Sequence, residues 1–119
     1  MAPGKKKRTI PLKLYWVSTA DHSEDWFIVA RSAAQARRVH EGAEGYDPGD
    51  AEAEFVCRLP PEHQEAHAWY PSEEVLRACG AEFLPNPDGV DVVRIAGKVY
   101  AAGDLVMNVA VRLGVVPTN

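Results

Sequence analysis

The sequence predicts an α+β fold: an antiparallel or mixed sheet of about five strands, two hairpins plus one strand, with about three helices packed mainly on one face. Three observations carry that expectation. Short segments alternate apolar and polar residues with the two-residue period of a half-buried strand. Two other segments carry helix caps and an apolar stripe at helical spacing. The connections are short and rich in turn residues, so consecutive elements pack as neighbours. A chain of 119 residues with 46% hydrophobic and 25% charged residues has the size and composition of one globular domain. The expected organisation is a flexible basic tail over 1–9 and a single α+β domain over 10–119.

The elements follow in order. Residues 1–9 hold Pro3, Gly4 and the run Lys5-Lys6-Lys7-Arg8, with nothing to bury. From Leu12 to Thr19, Leu14 and Trp16 share a face with Leu12, while Lys13, Tyr15 and Val17 share the other. Ala20 to Asp25 is a polar turn, and Trp26-Phe27-Ile28-Val29-Ala30 is unbroken apolar, as in a strand buried on both sides. The two make a hairpin. Ser32 to Glu44 reads as a helix: Ser32 with Gln35 forms a capping-box pattern, and Ala33, Ala36, Val39, His40 and Ala43 form a thin stripe. Gly42 and Gly45 can end it.

Tyr46-Asp47-Pro48-Gly49-Asp50 is turn chemistry. Ala51, Ala53, Phe55 and Cys57 then alternate with Glu52, Glu54, Val56 and Arg58, which predicts an edge strand with one charged, solvated face. Pro60-Pro61 stops it. Ser72 to Cys79 reads as a short helix capped by Ser72, with Glu73 and Glu74 in its first turn and Gly80 beyond its end. Phe83 and Leu84 lead into the turn Pro85-Asn86-Pro87-Asp88-Gly89. Val90 to Ile95 and Lys98 to Ala101 flank Ala96-Gly97 as a second hairpin. Leu105 to Leu113 alternates like a strand, but Asp104 as cap and Gly114 as terminator select a helix.

Composition also excludes function classes. No run approaches the roughly 18 apolar residues of a spanning helix, so no membrane role is expected. Pro11 and Lys13 break the segment after the basic run, unlike a secretory signal. Cys57 and Cys79 match neither zinc nor thioredoxin spacing, and whether they meet is not readable from sequence. The expectation is a cytoplasmic chain with two reduced thiols. Phosphate-binding glycine loops and a G-x-S-x-G elbow are absent, so no cofactor is expected and the balance leans against an enzyme. Cys79, beside Gly80 on an apolar stripe, reads as core rather than as a reactive thiol.

The charge map is uneven. The net charge is −4, and removing the four positive charges of the tail leaves −8 for the rest. Between Glu41 and Glu74, ten acids face one base, Arg58. The leading functional reading is therefore a small non-catalytic interaction or accessory protein. It would dock a basic protein surface through Glu52, Glu54, Glu62, Glu65, Glu73 and Glu74. The alternative is a nucleic-acid-associated protein using Lys5, Lys6, Lys7 and Arg8, whose charges would neutralise phosphates without reading sequence. A further alternative is a metal-binding protein or unfamiliar enzyme built on His63 and His67. The pair is four apart, but Gln64 stands where a zinc peptidase needs glutamate, and Glu65 would lie roughly 200° around a helix from His63. His22, His40 or a cysteine would have to supply the third ligand. Asp21-His22-Ser23-Glu24-Asp25 lacks the glycine of a calcium loop and reads as a solvated hairpin loop. Arg31, Arg37 and Arg38 form a smaller basic patch able to pair with Glu41 and Glu44. Strand-edge pairing or the apolar last element offers a route to a homodimer.

Overall fold

The computed structural model describes residues 10–22, 24–64, 67–84 and 92–101. The basic tail, Ser23, Glu65, the turn over 85–89 and the element expected over 105–113 lie outside the described residues. The class is α+β, but the strands form two three-stranded antiparallel sheets rather than one. In the first, β1 (Lys13–Thr19) is central, flanked by β2 (Trp26–Ala30) and β3 (Ala51–Arg58). The second contains β4 (Glu82–Leu84), β5 (Val92–Ile95) and β6 (Lys98–Ala101) in that order. The helices are α1 (Ala33–Glu44) and α2 (Glu73–Ala78), with a 3₁₀ turn over Pro61–His63. No described helix is long and apolar enough to cross a membrane.

The helices do not share a face. Tyr15, Val17, Ile28, Ala30 and Ala51 meet Ala36 of α1 on one side of the first sheet. Leu12, Leu14, Phe27, Val29 and Val56 project to the other, where they meet Leu76 of α2 and Val93, Ile95 and Tyr100 of the second sheet. The layers are thus α1, first sheet, then second sheet with α2. The physical reason is the unbroken apolar run of β2, four of whose five residues are buried. A strand apolar on both faces needs cover on both. The cross-layer core is aromatic: Tyr100 stacks on Phe27 at 5.2 Å between centroids and meets the edge of Trp16 at 5.0 Å.

Local chemistry sets the element ends. The Ser32 hydroxyl accepts from Gln35 N–H, and Gln35 Oε1 accepts from Arg31 N–H, one residue earlier than a reciprocal box would use. Gly45, at φ 81°, ends α1, where Gly45 and Tyr46 N–H both donate to the Glu41 carbonyl. Ser72 caps α2 by accepting from Val75 N–H. The second hairpin turns through Ala96 and Gly97, both with positive φ. Strand β4, where the sequence predicts only a lead-in to a turn, pairs Phe83 with Val93.

One irregularity reassigns a face. Along β1 and β3, Tyr15 pairs with Phe55, whereas Leu14 pairs with Cys57, so Val56 is the extra residue of a bulge. Up to Phe55 the expected alternation holds, and Tyr15 and Phe55 pack edge to face at 6.2 Å. Beyond it the faces exchange. Val56 is buried in the cross-layer core and Cys57 packs against that same core, opposite the side that simple alternation assigns it. Glu54, on the same face as Val56, projects toward the second sheet. Glu54 accepts from Lys98 Nζ at 2.7 Å and Tyr100 OH at 3.1 Å, so this face is not simply solvated.

Candidate functional site

A concave surface lies at the end of the first sheet where β1 leaves and β3 enters. Two adjoining concavities, each about 240 Å³, are lined by Ser18, Thr19, Ala20, Asp21, His22, Tyr46, Asp50 and Glu52. Three of these residues are acids and none is lysine or arginine. Antiparallel pairing creates the site: Ser18 sits opposite Glu52 and Thr19 opposite Ala51. The loop leaving β1 is thereby placed beside the loop from α1 into β3.

Each loop is held by carboxylates. Asp25, its side chain only 4% exposed, accepts from Thr19 N–H at 3.1 Å through Oδ1 and meets His22 Nδ1 at 2.7 Å through Oδ2. This buried acid corrects the expectation of a wholly solvated loop. It makes a local bridge that lets His22 adopt φ 54°, in the left-handed region. Asp21 accepts from Thr19 Oγ1 at 2.7 Å and from Tyr46 OH at 3.0 Å, tying the loops together. Below them His40 is fully buried, its ring 5.8 Å from that of Tyr46, with Nε2 against the Glu24 carbonyl at 2.7 Å. On the other loop, buried Glu41 accepts from Gly49 N–H at 3.0 Å and Ala51 N–H at 3.1 Å. Glu41 and Glu44 therefore do not serve the arginines of α1: Glu44 accepts from Tyr70 OH. Burial and the Glu44 carboxylate push the Tyr70 phenol well above its ordinary value.

The acids expected to form one docking face are distributed. Glu52 lines the concavity, whereas Glu54 is engaged by Lys98 and Tyr100. Glu62 is exposed in the 3₁₀ turn, and Glu73 pairs with Arg77 at 2.7 Å within α2 beside exposed Glu74. Glu65 and Lys5, Lys6, Lys7 and Arg8 lie outside the described residues. Asp21 and Asp50 join Glu52 without having been singled out for docking. They stand 29 residues apart in sequence, and only the pairing of β1 with β3 brings them together.

His63 is half-buried at the end of the 3₁₀ turn and His67 is exposed. Among the described residues, no three histidines, cysteines or acids are grouped as a metal site requires. Gln64, between them, is a structural residue. Its Oε1 accepts from Leu12 N–H at 2.8 Å, and its Nε2 donates to the carbonyls of Leu12 at 3.2 Å and Leu59 at 3.1 Å.

The cysteines, 22 positions apart in sequence, lie on the same side of the first sheet. Both pack against the cross-layer core. The Cys79 side chain lowers the pKa of Cys57 against the opposing effect of burial, and the Cys57 side chain together with burial raises that of Cys79. Both thiols are free. Comparison with family models, curated proteins and solved structures found no match to this chain.

Proposed function

We propose that the chain is a non-catalytic interaction protein that captures a lysine- or arginine-bearing segment of another protein at the acidic end of its first sheet. The observation that carries this reading is the convergence of Asp21, Asp50 and Glu52 on one concave surface whose lining, among the described residues, holds no basic residue except His22. Among the described residues, neither Asp50 nor Glu52 is ion-paired, whereas Glu54, Glu73 and Glu82 each are. A carboxylate already paired with a cation of its own chain has less to offer an incoming one, which favours Asp50 and Glu52 over Glu54 and Glu73. The loops are braced from beneath by Asp25, His40 and Glu41, so the surface is arranged before a partner arrives.

Each exposed carboxylate contributes on the order of 0.2–1 kcal/mol to a contact with a cation. Capture should therefore be salt-sensitive and should depend on several acids together. The test is a nuclease-treated pull-down comparing full-length protein, a version lacking residues 1–9, and the double variant D50N/E52Q. Retention of one discrete protein by the first two and its loss from the third supports this reading. Equal retention by all three overturns it. Capture that disappears with nuclease, or with the tail, instead supports nucleic-acid association through Lys5 to Arg8.

A further inference from the structure

We propose that the outer edge of β3 is an open docking edge, where an extended segment of a partner protein adds antiparallel to the first sheet as a fourth strand, its apolar residues alternating with lysine or arginine. The inference rests on the reading that a basic segment docks at the acidic end of this sheet, and it adds how that segment is held. The sheet treats its two edges differently. At β2, Val29 and Trp69 exchange backbone hydrogen bonds of 2.9 and 3.1 Å, so a segment of the chain itself covers that edge. Beyond β3, among the described residues, no strand follows.

The free backbone groups can be assigned. Along an antiparallel strand, successive residues turn their N–H and C=O toward opposite neighbours. Ala51 N–H donates to Glu41 Oε2 at 3.1 Å rather than to β1, so it points outward. Alternation then turns Glu52 and Glu54 inward to β1 and turns Ala53 and Phe55 outward, each with one N–H and one carbonyl. Among the described residues, nothing bonds to those four groups. The bulge at Val56 ends the regular stretch.

The side chains select the partner. Charge usually guards an exposed edge, yet Phe55 is 53% exposed although its ring meets Tyr15. An apolar residue opposite Phe55 would cover it. On the other face, a lysine or arginine opposite Glu52 would meet a carboxylate that has no ion-pair partner among the described residues and that adjoins Asp50. A second copy of β3 fits poorly. Antiparallel pairing about Ala53 would set Glu52 opposite Glu54, and pairing about Glu54 would set that residue against its own copy.

The test follows amide hydrogen exchange by NMR in the full isotope-labelled chain, with a synthetic peptide alternating valine and lysine as probe. In the free protein, the amides of Ala53 and Phe55 should exchange on the order of tenfold or more faster than that of Glu54 between them. The peptide should slow both. N-methylation of its valines, whose amides face β3 when the lysines lie opposite the glutamates, should weaken binding on the order of tenfold. N-methylation of its lysines, whose amides face away, should not. Binding that needs Asp50 and Glu52, judged with D50N/E52Q, but ignores where the methyl groups sit would overturn strand addition and leave the docking reading standing. Binding sensitive to valine methylation but unchanged in D50N/E52Q would overturn the docking reading on which the proposal rests. Amides of Ala53 and Phe55 already protected in the free chain, whether monomeric or sedimenting as a dimer, or unaffected by the peptide, would overturn the proposal outright.

Discussion

Gln64→Glu changes one side-chain atom and tests how the end of the first sheet is held. The Gln64 amide behaves as a strand residue would. It accepts from the N–H of Leu12 and donates to the carbonyls of Leu12 and Leu59, which are 1% and 4% exposed. A carboxylate keeps the acceptor and loses both donors. Each neutral hydrogen bond is worth about 1 kcal/mol net, so the loss of two costs about 2 kcal/mol. Carboxylate lone pairs would also face two carbonyl oxygens in a part-buried site, bringing the expected total to about 2–3 kcal/mol. The same surroundings raise the pKa of the new carboxyl in the folded state above its unfolded value of about 4.3. The folded variant then binds more protons than the unfolded one, so its deficit relative to wild type should shrink as pH falls through the folded pKa toward the unfolded value. Urea melts of both proteins at neutral and acidic pH measure this. A variant within about 0.5 kcal/mol of wild type at neutral pH, with no pH-dependent difference, would refute the account of Gln64.

Two further perturbations address the second sheet. Ala96 holds φ 53° in the turn between β5 and β6, where left-handed backbone costs an alanine about 1 kcal/mol. Ala96→Asn, giving the Asn-Gly pair such turns favour, should raise stability by about 0.5–1 kcal/mol in denaturant melts, and a loss would contradict the turn assignment. Burial first, and then the Glu54 carboxylate, raise the Tyr100 phenol above 10.0. Its stabilising contribution is full below that pH and lost as pH climbs beyond it. Tyr100→Phe should cost about 1 kcal/mol at neutral pH and flatten the alkaline decline, leaving the parts due to Tyr15 and Tyr70; an unchanged alkaline limb would show that Tyr100 is not its source.

Much of the fold was legible because its signals are local. The alternation over Leu12 to Thr19, the unbroken run over Trp26 to Ala30, the Ser32 and Ser72 caps and the Ala96-Gly97 turn each depend on residues within a few positions of one another. The site was less legible. Asp25 and Glu41 resemble surface acids in sequence, yet each is buried because backbone N–H groups of a loop need an acceptor. Strand β4 was missed because a three-residue segment carries too short a period to recognise.

The sequence by itself determined which segments become strands and helices and where most of them stop, since periodicity, capping and turn preference act through near neighbours. It also determined that β2 must be covered on both faces. Only the tertiary structure decided what covers them: α1 on one side, and α2 with a separate sheet on the other. Only the tertiary structure placed Gln64 against Leu12, Asp21 beside Asp50, and Glu54 under Lys98 and Tyr100. The placement of Cys57 on the side of α2 shows the reason most directly. One extra residue at Val56 reverses the face of everything after it in β3, and that residue is set by register against β1 more than 40 positions away. Local pattern specifies the elements; pairing and packing at long sequence separation specify which side chains share a site.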